Sequence, residues 1–152
     1  MLVQLRLMKL SRTISYALQA ALHLARAVPG VPVPCSQLAR QGRLPERFLL
    51  QILRCLVTHG VLQSTRGVDG GYILSRPPET ISLLDIVEAF DHPLDPRLPA
   101  LDGMSPGVRS SILRTLRDIA HASRVELQKL TLADLLELDQ SVPVASGCPV
   151  TH

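Results

Sequence analysis

Gly60-Val61-Leu62-Gln63-Ser64-Thr65-Arg66-Gly67-Val68-Asp69-Gly70-Gly71-Tyr72-Ile73-Leu74 carries more structural information than any other stretch of this chain. Two strand-like runs, residues 61–65 and 72–75, flank a six-residue tip that holds one arginine and three glycines. The Asp69-Gly70 pair is a turn signal, because glycine takes positive φ without a Cβ clash. A hairpin this short does not hold itself together in water, so it has to lean on neighbouring elements. Immediately before it runs a helical segment whose outward side is polar and basic. A helix followed by a hairpin with an arginine at its tip is the layout of a winged helix-turn-helix. Duplex DNA is the partner that this layout favours.

Upstream, apolar residues from Ile14 recur at Ala17, Leu18, Ala21, Leu22, Ala25 and Val28, a helical period that predicts one buried stripe of a long helix. Pro29-Gly30-Val31-Pro32 ends it. A short helix is expected over residues 35–41, with Pro34 in its first turn and Leu38 and Ala39 facing inward. Gly42-Arg43-Leu44 then turns the chain into a second helix beginning near Pro45, which is helix-turn-helix spacing. That second helix carries Phe48, Leu49, Ile52, Leu53, Leu56 and Val57 on its expected inner side. Arg47, Leu50, Gln51, Arg54 and Thr58 fall on its outer face.

Downstream, Ser82 and Asp85 form a capping-box pair ahead of a helix whose apolar side is Leu83, Ile86, Val87 and Phe90. Residues 91–104, with Pro93, Pro96, Pro99 and Gly103, read as an irregular linker, the expected sensor loop. Ser105-Pro106 opens a long helix running to about Leu130. Some 25 residues make a rod of roughly 37 Å, longer than a small winged domain covers. A seam of Ile112, Leu116, Ile119, Ser123 and Leu127 along it is expected to meet a second copy of the chain. Thr131 and Asp134 repeat the cap pattern and start a last short helix to about Asp139. The expected organisation is therefore an N-terminal extension (1–7), a winged helix-turn-helix (8–90), the linker (91–104), a dimerisation helix with a short terminal helix (105–139) and a disordered tail (140–152). The fold class is mostly α, with a two-stranded wing.

With 152 residues and 46% hydrophobic content, the chain can build a core, and only 3% aromatic content makes that core aliphatic. A net charge of +3 permits binding to a polyanion without demanding it. Lys9 and Lys129 are the only lysines. The arginine preference suits bidentate phosphate or guanine contacts, and equally suits a plain compositional bias. No apolar run is long enough for a membrane span, and no signal peptide opens the chain, so a cytoplasmic location without membrane association is expected. Cys35, Cys55 and Cys148 are odd in number and widely spaced, which argues against a disulfide framework. No nucleophile–base arrangement, carboxylate pair or cofactor fingerprint is present, so an enzyme is not expected.

Met8-Lys9-Leu10-Ser11, Tyr16-Ala17-Leu18, Pro45-Glu46-Arg47-Phe48-Leu49, Gln51-Ile52-Leu53, Thr65-Arg66-Gly67-Val68-Asp69-Gly70-Gly71-Tyr72 and Asp85-Ile86-Val87 together resemble, in order, the Rrf-two family of bacterial transcription regulators (the IscR, NsrR and CymR types). The likeness covers about residues 8–139, and its most specific part is the wing ending in Gly-Gly-Tyr. It implies a homodimeric winged-helix repressor or activator whose long helix crosses to the partner subunit. It also implies, for many members, an iron–sulfur cluster held by three cysteines in the linker. Here residues 91–104 contain no cysteine, and Ser15 stands where some members place a carboxylate. The expectation is a member without a cluster or other cofactor, answering to an unidentified small-molecule or redox signal.

The expected DNA-contacting residues are Arg66 and Gly67 on the wing; Arg47, Gln51, Arg54, Glu46 and Leu50 on the second helix; and Ser11, Arg12 and Tyr16 at the start of the first. Arg66 suits a narrow minor groove. Arginine and glutamine suit guanine and adenine edges, and a leucine suits a thymine methyl. Ser11, Arg12 and Tyr16 suit phosphates, although Tyr16 reads equally as half-buried packing. Asp91, His92, Asp95 and Asp102 have no recognised metal-ligand spacing, nor do Cys148 and His152. Cys55 reads as a half-buried thiol or, in the less favoured alternative, as a modified one. Cys35 reads as packing. The functional expectation is a sequence-specific repressor acting as a homodimer on a palindromic operator. The alternative is a thiol- or ligand-sensing winged module that works mainly through protein–protein contacts.

Overall fold

The computed structural model describes residues 11–90 and 101–141. The N-terminal extension, most of the linker (with Asp91, His92 and Asp95) and the tail from residue 142 lie outside them. In chain order the elements are α1 (Arg12–Arg26), α2 (Cys35–Gly42), α3 (Glu46–Thr58), β1 (Leu62–Thr65), β2 (Gly71–Leu74), α4 (Leu83–Glu88), α5 (Pro106–Lys129) and α6 (Leu132–Ser141).

Helix α1 is capped by Ser11, whose hydroxyl accepts the Ile14 N–H at 3.4 Å. Its buried face is Ile14, Ala17, Ala20, Ala21 and Leu24. Small side chains there let α2, α3 and α4 approach closely. The expected stripe is therefore turned by about one position, and Val28 leaves it altogether. The helix stops at Arg26 and Val28 is 69% exposed. Pro29 supplies the reason, since the residue before a proline is pushed out of helical backbone.

Pro34 is the cap of α2 rather than part of its first turn. Arg43, not Gly42, takes the left-handed conformation that ends α2, with φ 52. Leu44 N–H then closes on the Ala39 carbonyl at 2.8 Å, and the Leu44 side chain is buried. Leu49, Ile52, Leu53 and Leu56 of α3 fill the core. Phe48, expected inside, is 37% exposed. It lies at the border of the buried arc, and its ring finds Tyr16 instead.

The wing pairs β1 with β2 in antiparallel register, Leu62 opposite Leu74 and Thr65 opposite Gly71. The tip is thus one residue shorter than expected, and its turn does not use Gly70 for positive φ. Gly67 carries that conformation, with φ 116. Gly70 is needed for space, since a Cβ on it would lie 2.4 Å from the Thr65 carbonyl oxygen. Gly71 is needed for space too. The segment ahead of α2 runs along β2, with Val33 and Tyr72 exchanging backbone hydrogen bonds of 3.0 and 2.9 Å. This neighbour holds the short hairpin in place.

Ser82 and Asp85 form the expected capping box on α4. Arg76 anchors the corner behind the wing: its guanidinium donates to the Gly60 and Thr80 carbonyls at 3.2 and 3.3 Å, and to Asp85 at 2.9 Å. Helix α5, about 36 Å long at ~1.5 Å per residue, has Ala120 as its one buried position among the described residues. Its C-terminal half is tied to α4 by Arg124 and Glu88 at 2.8 Å. Beyond it, Leu83 N–H donates to the Leu130 carbonyl and Leu132 N–H to the Ile81 carbonyl, at 2.8 and 2.9 Å. Leu132 thereby enters the core with no exposed surface, a burial worth about 1.5–3 kcal/mol. Thr131 and Asp134 make the expected cap, and α6 packs back on α1, where Arg26 pairs with Asp139. Among the described residues no helix is long and apolar enough to cross a membrane.

Candidate nucleic-acid interface

Arg47, Gln51, Arg54 and Thr58 recur at spacings of four, three and four, opposite the buried side of α3. All four are exposed, forming one narrow polar stripe on the second helix of the helix-turn-helix. Glu46 is exposed in the first turn of α3, where a carboxylate is favoured by the helix dipole. Leu50, expected on the outer face, is half-buried at its margin. Ser11 and Arg12 are exposed at the start of α1, although the Ser11 hydroxyl is engaged as a cap. Tyr16 is half-buried, edge-on to Phe48 with ring centroids 5.8 Å apart and planes at 79°. An aromatic pair so placed fixes the direction of the phenol.

Arg66 and Gly67 are exposed at the wing tip. The wing is rigidly joined to α3, because Gly60 N–H and Val61 N–H donate back to the Val57 and Leu56 carbonyls at 3.0 and 2.9 Å. Tyr72 is half-buried on β2, beside this surface rather than on it. Burial pushes its phenol above the usual range, Cys35 adds to the rise and Arg54 opposes it. Tyr72 lies where the wing meets the segment ahead of α2, bonded to Val33. Its signal in the sequence was its place after Gly70-Gly71, where the backbone needs room for Val33.

The helix seam expected to meet a second copy is only partly covered. Ile112, Leu116, Ser123 and Leu127 are half-buried, while Ile119 is 44% exposed, Val108 (51%) falls on the same side three turns earlier, and Val125 (40%) lies round the helix from them.

The Rrf2 family profile, described as an iron-dependent transcriptional regulator, matches residues 10–138. The chain is 34% identical over 130 residues to the putative HTH-type transcriptional regulator Rv1287 of Mycobacterium tuberculosis, covering 84% of this chain and 81% of that protein. It is 31% identical over 128 residues to the HTH-type transcriptional regulator CymR of Bacillus subtilis, covering 84% and 89%. Among solved structures, CymR of B. subtilis, titled the global cysteine regulator, superposes with a TM-score of 0.68 at 29% identity, over 86% of this chain and 98% of that one. T. potens IscR superposes with a TM-score of 0.69 at 28% identity, over 92% and 94%.

The residues described here do not suit iron or an iron–sulfur cluster. The Cys55 thiol donates to the Ala89 carbonyl at 2.9 Å, and the Cys35 sulfur faces the Glu46 carbonyl at 3.9 Å. Burial, then Glu46, pushes the Cys35 thiol upward. Among the described residues no group of three or more His, Cys, Asp or Glu gathers as a metal site would need, and Asp102 stands exposed. What the chain shares with its relatives is the reading head and the rod, and on both sequence and fold it belongs to the Rrf2 family of winged helix-turn-helix, DNA-binding transcription regulators.

Proposed function

We propose that two copies of this chain bind one imperfectly palindromic operator and repress transcription from it. The two α3 helices enter successive major grooves about 34 Å apart. Arg47, Gln51 and Arg54 face base edges and phosphates there, and Arg66 of each wing enters a flanking minor groove. Glu46 and Leu50 border the groove contact, Gly67 lets the tip approach closely, and Ser11, Arg12 and Tyr16 position the phosphate backbone. The observation that carries the reading is the exposed Arg47–Gln51–Arg54 stripe on a helix whose end is bonded directly into the wing. The exposed Ile119 and Val108, on one side of α5, support pairing through the rod.

The test is a salt-dependent anisotropy titration on DNA from the gene's own upstream region. Arg66→Ala should weaken binding by roughly 5- to 100-fold and flatten the salt dependence by about one ion. Lys129→Ala should leave binding unchanged, because its partner Glu126 lies on the same exposed stretch of α5. Arg124 is a poorer control, being tied to Glu88. Equal effects of the Arg66 and Lys129 variants would refute the wing assignment. Binding insensitive to salt would favour a protein-docking surface instead.

A further inference from the structure

Behind the wing lies a cavity of about 330 Å³ that the DNA-contacting surface does not use. Its walls are the last turn of α1, the loop of residues 28–31, strand β2 and the turn of residues 76–78. Hydrophobic and proline side chains make up nearly all of the lining. Val28 and Val31 contribute to it while remaining 69% and 54% exposed, apolar surface left open by the described residues. Pro29, Pro77 and Pro78 stiffen two of the walls.

The charge balance limits what fits. Among the described lining residues Arg76 carries the one charged side chain, Tyr72 adding a neutral phenol, and all three of the Arg76 nitrogens are engaged, with Asp85 at 2.9 Å neutralising the guanidinium. An entering carboxylate or ammonium would lose its hydration without gaining a free counter-charge. Size narrows the choice further. An enclosed apolar cavity of about 150 Å³ takes up benzene; this one is partly open to solvent, and a molecule of roughly ten non-hydrogen atoms would fill its volume.

We propose that the cavity is an effector site for a small, neutral, mostly apolar molecule, and that its occupant acts on the wing. The physical link is β2. Tyr72, Ile73 and Leu74 form one wall and are laddered to Ser64, Gln63 and Leu62, the strand that leads to Arg66. Tyr72 also holds Val33. A molecule pressed against β2 therefore bears on the wing and on the entry to α2 together. This second half of the proposal rests on the DNA-binding reading, whereas the first half does not.

Calorimetric titration of the full chain with naphthol, indole and octanol, without DNA, tests the first half. At least one of them should bind saturably at one site per chain, and naphthoate should bind at least about tenfold more weakly than naphthol. Ala25→Phe, which fills the space, should abolish binding with an unchanged circular dichroism spectrum. Should that variant misfold, Val31→Asp, at an exposed position, should weaken naphthol binding by placing a charge in the lining. No saturable binding by any of the three, equal binding of naphthoate, or indifference to the folded variant would overturn the site. Loss of binding as protein concentration rises would assign the cavity to a second copy and also overturn it. On operator DNA, saturating ligand should change affinity several-fold; binding in the cavity with operator affinity unmoved would overturn the effector role. A chain that takes up naphthol but ignores DNA would sink the DNA reading while leaving the site standing.

Discussion

Replacing Gly71 by alanine should cost more stability than replacing Gly67 at the wing tip, and the reason is a backbone rather than a turn. A Cβ at this position would lie 2.4 Å from the Val33 oxygen, 2.5 Å from its carbonyl carbon and 2.8 Å from the Pro34 nitrogen. No flexible side-chain end can swing aside, so the strand or the crossing segment must move. The least costly relief is to part Val33 from Tyr72, which breaks their two hydrogen bonds of 3.0 and 2.9 Å. At about 1 kcal/mol net for each bond, and with Val33 drawn partly from the core, the loss comes to roughly 2–3 kcal/mol. Gly67→Ala meets nothing within 4 Å but must hold φ at 116, costing about 1–2 kcal/mol. Gly103→Ala meets nothing and has an ordinary φ, so its effect should stay within about 0.5 kcal/mol. Urea denaturation followed by circular dichroism, at constant m value, should rank the three in that order. If Gly71→Ala proved no more damaging than Gly67→Ala, the close crossing of β2 by the segment ahead of α2 would be wrong.

Ile119→Asp should shift the chain toward monomer in sedimentation velocity and weaken operator binding, because it places a charge on the apolar strip of α5; an unchanged dimer would rule that strip out as the seam. Phe48→Ala should weaken operator binding by roughly three- to tenfold through loss of the edge-on contact with Tyr16 (about 0.5–1.5 kcal/mol), with Phe48→Tyr restoring most of it; additive effects of Phe48→Ala and Tyr16→Phe in a double-mutant cycle would deny the coupling. The Thr131 backbone and hydroxyl hydrogen bonds hold the Asp134 carboxyl below its usual 3.8. Its capping contribution is therefore fully present above that value and disappears as pH falls through the lower folded midpoint. An NMR titration should place Asp134 below 3.8 and return it toward that value in Thr131→Ala; a midpoint unmoved by the substitution would contradict the cap.

The elements with local causes were legible in the chain alone. The outward stripe of α3 follows from helical spacing, and the caps at Ser82 and Thr131 from the Ser/Thr-x-x-Asp pattern. The wing follows from its glycines and strand formers. What escaped depends on neighbours distant in sequence. Gly71 is required because Val33 crosses there, and Gly67, not Gly70, carries the left-handed turn. Phe48 sits at the edge of the buried arc of α3, where the pattern does not choose sides, and Tyr16 decides it. Arg76 reads as an ordinary turn residue until its three partners, drawn from α3's end, the turn after the wing and α4, are brought together. The return of Leu132 to the core was hidden for the same reason.

The short backbone splice between residues 81–83 and 130–132, with the Arg124–Glu88 tie close by, clamps one end of α5 to the domain that carries the wing. A rod fastened this way behaves as a handle: tilting its far end turns its own reading head with it. Two chains joined handle to handle would then measure out the separation between their heads as a ruler does, and a strain of a few degrees at the joint would be magnified along roughly 36 Å of helix into a mismatch with the pitch of the duplex.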